Sequence, residues 1–129
     1  MVVVAIPCIM TIYNHDQSLR RGSAEDERLR QWLVRGEAVG ISAVSWTEFL
    51  CGPVQGHAIE LAARVVGEPV ALLAVDAAAK LFNLGGRRRG SLNDCMIAAT
   101  ALRTNAPLAT TNPADFRRFE PAGLRVIGV

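Results

Sequence analysis

The stretch "SLNDCMIAATAL", residues 91–102, reads from Leu92 onward as a helix that is apolar almost all round. Leu92, Cys95, Met96, Ile97, Ala98, Ala99, Ala101 and Leu102 leave it no polar face, and such a helix belongs in an interior. Its first turn nevertheless carries Asp94, and Arg87, Arg88 and Arg89 stand just before it. A buried helix that opens on an acid beside a basic run poses the question that the rest of the chain has to answer.

Outward from this helix, strands and helices alternate. "VVVAI" (2–6) is a short β-rich apolar run, "AVGISAV" (38–44) a second strand, and "PVALLAV" (69–75) a third. "PLAT" (107–110) and "GLRVIGV" (123–129) are expected as the last two strands. Between them, residues 23–35 begin with a Ser cap and acids and end at Gly36. "SWTEFLCG" (45–52) and "HAIELAARVVG" (57–67) are helical, and Asp76 is expected to cap "DAAAKLFNLGG". "NPADFRRF" (112–119) supplies one or two further helical turns. This order favours an α/β sandwich around a mostly parallel sheet, in which ligands bind beyond the carboxyl ends of the strands.

The bulk composition agrees with one domain over residues 1–129. Half of the residues are hydrophobic and 20% are charged, which excludes a disordered tail. A net charge of +2 is too small to argue nucleic-acid binding. All the basic residues except Lys80 are arginine, the side chain suited to planar contact with phosphate or carboxylate. Cys8, Cys51 and Cys95 lack metal-type spacing and read as small core residues in a reducing compartment. "MVVVAIPCIM" has no basic n-region and is too short to span a membrane, so the expectation is a soluble, cytoplasmic protein.

Three acids occupy matching places: Glu48 in "ISAVSWTEF", Asp94 in "GSLNDCMI" and Asp115 in "LATTNPADF". Three positions before each stands a cap-type residue, Ser45, Ser91 or Asn112, so each acid is expected in the first turn of a helix. Two readings follow. Capping and the helix dipole account for all three residue types without any site. Alternatively the acids converge at one end of the sheet, where a divalent ion with a preference for oxygen would relieve their repulsion. The readings are compatible, because a carboxylate at a helix end can still present an oxygen outward.

The same segments resemble the PIN-domain ribonucleases, and within them the VapC-type toxins of bacterial toxin–antitoxin pairs. "ISAVSWTEFL" is similar to the family's strand-then-helix segment with its second acid, which places Glu48 there. "GSLNDCMIAATAL" is similar to the third-acid helix, with Asp94 in the site. "LATTNPADF" resembles the T-x-N/D-x-x-D-F signature through Thr110, Asn112, Asp115 and Phe116. The resemblance covers nearly the full length, with the motifs in order. It implies a PIN-like three-layer α/β/α sandwich and a magnesium- or manganese-dependent endoribonuclease. Its implied metal ligands are Asp94, Glu48 and Asp115, with Asn112 in the catalytic site. It also implies an RNA substrate, an antitoxin partner and a homodimer. On this reading Asp94 is a metal ligand at the mouth of a buried helix, and Arg87, Arg88 and Arg89 meet the RNA backbone.

The chain departs from the family at its start. Family members end their first strand in D-T/S-N/S, and alignment puts Ala5 at that acid, followed by Ile6 and Pro7. Asp16 is a poor substitute, roughly 15 Å away along the axis if the residues between were helical. Losing one carboxylate weakens an ion site but not the fold, since alanine suits a buried strand end. Two alternatives therefore stand beside the ribonuclease: a catalytically impaired PIN-fold binding protein, and a plain α/β domain whose acids are helix caps. His15 and His57 lack spaced partners and read as surface or packing residues, Trp32 and Trp46 as packing residues. Gly85 and Gly86 lack a phosphate-loop pattern.

Overall fold

The computed structural model describes residues 1–4, 31–51, 56–71 and 74–128. Strand β1 (Val2–Val4) is followed by a helical turn at 31–34 and strand β2 (Val39–Ile41). Helices α1 (Ala43–Cys51), α2 (Gly56–Val66), α3 (Val75–Leu84) and α4 (Leu92–Arg103) come next. Strand β3 (Leu108–Thr110), two 3-10 segments (Pro113–Asp115 and Arg117–Ala122) and strand β4 (Val126–Gly128) complete the order. The four strands form one sheet in the order β2-β1-β3-β4, and every pairing is parallel. Val3 lies between Gly40 and Leu108, and Ala109 pairs with Val4 and Ile127.

Strand periodicity divides the interior into two cores. Val2, Val4, Val39 and Ile41 face one side, where Trp32, Phe49, Ala62 and Val66 pack. Val3 and Leu108 face the other, against Cys95, Ala98 and Ala101 of α4, with Phe116 and Phe119 from the 3-10 segments. The result is the expected α/β sandwich, with helices on both faces of a parallel sheet. Val3, Val4, Ile41 and Leu108 are fully buried, as befits strands covered on both faces. Trp32 is buried in the first core and Trp46 packs beside it, so both tryptophans serve as packing residues. Among the described residues, no helix is long and apolar enough to cross a membrane.

Helix α4 is the central brace. Ala98, Ala99 and Ala101 are each 0% exposed, and their small side chains let the helix lie close to its neighbours. Thr100 is buried too, and its hydroxyl donates to the Met96 carbonyl at 2.9 Å. The interior therefore holds no unsatisfied hydroxyl at this point. Gly123, at φ +103°, turns the chain out of the second 3-10 segment into β4, a conformation few other residues adopt.

The structure corrects several expectations. The strand expected over 38–44 ends at Ile41, and α1 begins at Ala43 rather than Ser45. The reason is Ser42: its hydroxyl accepts the Ser45 N–H at 3.0 Å, while its carbonyl accepts the Trp46 N–H at 2.9 Å. Ser45 is thus inside the helix, and its hydroxyl accepts a bond from Ser42 Oγ at 3.2 Å. "PVALLAV" contributes only an isolated bridge between Val70 and Ser42 among its described residues. Asp76 lies inside the first turn of α3, whose cap position is Ala74. Cys95 is buried as expected, but Cys51, at the end of α1, is exposed. Residues 23–30, His15, Asp16, Cys8 and the Ala5-Ile6-Pro7 departure lie outside the described residues.

Because Ser42 is fully buried and supplies the cap of α1, Ser42→Ala should cost about 1 kcal/mol of stability in urea denaturation. A loss below about 0.3 kcal/mol would mean that the hydroxyl pair does not hold the start of this helix.

Candidate functional site

Elements that follow the carboxyl ends of two strands bring the acids together with the mouth of α4. Helix α1 leaves β2 through Ser42. Its Val44 packs into the core containing Cys95 and Ala98, and Glu48 lies one turn further along the same face. Asp94 stands in the first turn of α4. Strand β3 ends at Thr110, and the buried Thr110 hydroxyl accepts the Asn112 backbone N–H at 3.0 Å. Asn112 in turn donates from Nδ2 to Asp115 Oδ2 at 2.8 Å, and its carbonyl accepts the Asp115 N–H at 3.1 Å. A buried hydroxyl on the sheet thus sets the turn that orients Asp115.

Capping does not explain this arrangement. Glu48 lies beyond the first turn of α1, because Ser42 rather than Ser45 starts that helix. Ser91 occupies the cap position of α4 but makes no side-chain capping bond, and its hydroxyl donates to the Arg88 carbonyl at 2.6 Å. Asn112 makes no side-chain capping bond either, since its amide serves Asp115.

Electrostatics ties the acids to one another. Glu48 is exposed, but partial desolvation pushes its carboxyl above the ordinary range, and the nearby charge of Asp94 adds to the rise. Asp94 is raised as well, first by burial. Arg118 pulls it down, Asp115 pushes it up and Arg88 pulls it down, and burial prevails. Asp94 is therefore the acid common to both interactions: it acts on Glu48 and is acted on by Asp115, with Asn112 beside Asp115. Of the arginine run, Arg88 reaches the field of Asp94. Arg87, at φ +55°, turns back so that its Nε donates to Asn83 Oδ1 at 3.2 Å, and Arg89 is exposed.

The residue that sequence reasoning missed is Arg118. Its Nη2 lies 3.7 Å from Asp94 Oδ2, and its Nε donates to the Asp115 carbonyl at 3.2 Å. The guanidinium stacks 4.5 Å from the Phe119 ring centroid. The available signal was its place in "ADFRRF", three residues after Asp115 on a turn.

The side chains that could hold an ion here, Glu48, Asp94, Asp115 and Asn112, offer oxygen donors, which is the chemistry of a hard divalent cation. Among the described residues no group of three or more His, Cys, Asp or Glu gathers tightly enough to cage a metal. The donor set fits an ion held through one or two carboxylates with water completing its shell, as Mg²⁺ commonly is.

A family model described as "PIN domain" matches residues 18–120. No curated protein matches the chain. Among solved structures, VapBC2 from Rickettsia felis bound to a DNA fragment from the promoter superposes with a TM-score of 0.72 at 16% identity, covering 100% of this chain and 99% of that one. FitAcB from Neisseria gonorrhoeae gives 0.66 at 18% identity, over 99% and 97% of the two chains. VapBC-1 from nontypeable Haemophilus influenzae gives 0.64 at 22%, over 99% and 98%. At these identities the likeness is one of fold.

The raised carboxyls have a measurable consequence. Both bind protons more tightly in the folded chain than in the unfolded one. Their contribution to stability is therefore full below the ordinary carboxylate range and is lost as pH rises through the folded values. In chelator, Asp94→Asn should raise the melting temperature at pH 7, and the gain should shrink as pH falls into the carboxylate range. A variant that melts lower than the parent at pH 7 would show that Arg118 more than offsets burial.

Proposed function

The chain belongs to the PIN domain family, and from that premise we propose that residues 1–129 act as one PIN domain, a metal-dependent endoribonuclease of the VapC toxin type. A cognate antitoxin neutralises it, and it works in the cytoplasm as a homodimer. The observation that carries this reading is Asp94, half-buried at the mouth of α4 with Glu48 and Asp115 both in electrostatic reach. The paired names VapBC and FitAB among its structural neighbours support the antitoxin partner.

In this reading Asp94, Glu48 and Asp115 are the acids that would hold Mg²⁺ or Mn²⁺, one or two of them directly and with water completing the shell. Metal-ion chemistry at these acids would supply a more acidic water and offset negative charge developing in phosphodiester hydrolysis. The chain's own residues prepare for that. Asn112 keeps Asp115 Oδ2 oriented through its 2.8 Å bond, and Thr110 keeps Asn112 in place. Asp94 is half-buried on α4 and Glu48, exposed on α1, lies within its field, so that a cation arriving at Asp94 would relieve charge on both. Arg88, with Arg87 and Arg89, meets the RNA backbone.

One observation favours a second reading. Ala5, Ile6 and Pro7 replace the acid and the two small polar residues of the family's first motif. Such a chain can retain the fold and bind RNA or antitoxin while cleaving weakly. The assay that separates the two is cleavage of total RNA with Mn²⁺ or Mg²⁺, beside a chelator control. Metal-dependent cleavage that falls to background in Asp94→Asn supports the enzyme; RNA binding without cleavage supports the impaired protein. Ala5→Asp should strengthen metal binding and raise cleavage, and Asp94→Asn in that background should abolish the gain. Arg87, Arg88 and Arg89 replaced together by alanine should weaken RNA binding and flatten its salt dependence, by about 0.7 in slope for each phosphate of a single strand that is no longer neutralised. An unchanged slope removes the arginines from the RNA path.

A further inference from the structure

Arg118 is built into the acid cluster from three directions. Its Nε is committed to the Asp115 carbonyl at 3.2 Å, and its plane lies over Phe119, itself a buried core residue. With the side chain only 26% exposed, the guanidinium is anchored rather than solvated. Nη2 faces Asp94 Oδ2 at 3.7 Å, well beyond the length of a charge-assisted hydrogen bond. The pair is therefore an electrostatic contact without a short bond. A fixed fork that makes only this loose contact with its carboxylate has the geometry to accept a better-placed anion, and guanidinium matches phosphate oxygens in a planar, two-point manner.

We propose that Arg118 is a positioning residue of the site: it serves Asp94 as a resident counter-cation in the ion-free protein and presents its Nη donors to a phosphate of the RNA once a divalent ion engages Asp94. The proposal rests on the ribonuclease reading above. It gives one side chain two opposite effects. Toward the ion, Arg118 is a competitor, because its charge offsets the carboxylate that the ion needs. Toward the RNA it is a ligand, because it adds to Arg88 a second positive charge beside the acids that would repel an approaching phosphate. Its anchoring by Phe119 and the Asp115 carbonyl keeps it from leaving the site when the ion enters.

The test measures the two affinities separately. Mn²⁺ is titrated calorimetrically into the full chain and into Arg118→Ala, Arg118→Gln and Arg118→Lys. A single-stranded RNA oligomer is then titrated in Ca²⁺ over a range of salt, with thermal melts alongside. The alanine and glutamine variants should bind Mn²⁺ several-fold more tightly and RNA several-fold more weakly, with a salt slope smaller by about 0.7. Lysine should restore the slope but not the full RNA affinity, since it lacks the fork. If ion and RNA affinities fall together with the melting temperature, Arg118 is a brace for Phe119 and the proposal is overturned. If the parent binds Mn²⁺ and cleaves RNA while both affinities are indifferent to residue 118, the proposal alone fails. If the parent neither binds Mn²⁺ nor cleaves RNA, the ribonuclease reading fails and takes this proposal with it.

Discussion

The seat of α4 between the sheet and α3 is the constraint from which the rest of the structure follows. Ala98 and Ala101 share a core with Val3 and Leu108, and the helix lies closest to α3. Larger residues would push the helix away, and overpacking a dense core strains its neighbours. With its body fixed, the helix has no freedom to move its first turn. Asp94 is held where the elements following β2 and β3 also deliver acids. The buried apolar helix and its charged mouth are two aspects of one arrangement: the body supplies position and the mouth uses it.

The site is a place where local stability is set against charge. Asp94 loses hydration by its partial burial, and its charge makes the ionisation of the exposed Glu48 harder. Arg118 and Arg88 relieve part of that cost but do not cancel it. Such uncompensated charge in a native protein is commonly a mark of function rather than of folding. The Thr110–Asn112–Asp115 relay has the same character. It fixes a carboxylate in direction although Asp115 is itself exposed, and an exposed acid needs no such support for stability alone.

Much of the fold was legible in the residues, for identifiable reasons. "VVV" and "LAT" are too short and apolar to be anything but buried strands, and the all-round apolarity of residues 92–102 could only suit an interior helix. The start of α1 was misplaced because Ser42 and Ser45 are equivalent as cap candidates, and only the tertiary position of β2 selects the first. "PVALLAV" has strand composition, yet only Val70 finds a described partner, since pairing depends on a neighbouring edge that composition does not reveal. The spacing placed Asp94 and Asp115 in first turns but misplaced Glu48, and only the motif resemblance read the three acids as a site. Arg118 was not legible, because its role arises from a turn that brings it back over Phe119 and toward a helix distant in sequence.

The order of the sheet also governs when this molecule can exist. Among the described strands β1 is synthesised before both of its neighbours, and Val3 must wait for Leu108 before its second side is covered. At ordinary rates of translation that interval is on the order of ten seconds. During it, a fully apolar strand has only β2 for company, and the core on the α4 side has not yet been made. Pairings this distant along the chain slow folding and prolong the exposure of sticky surface. Asp115 likewise joins Glu48 and Asp94 only after β3 has emerged. The topology therefore delays assembly of the acid cluster until β3 and the turn after it are made, so a truncated nascent chain ending before β3 carries two of the acids but not the arrangement.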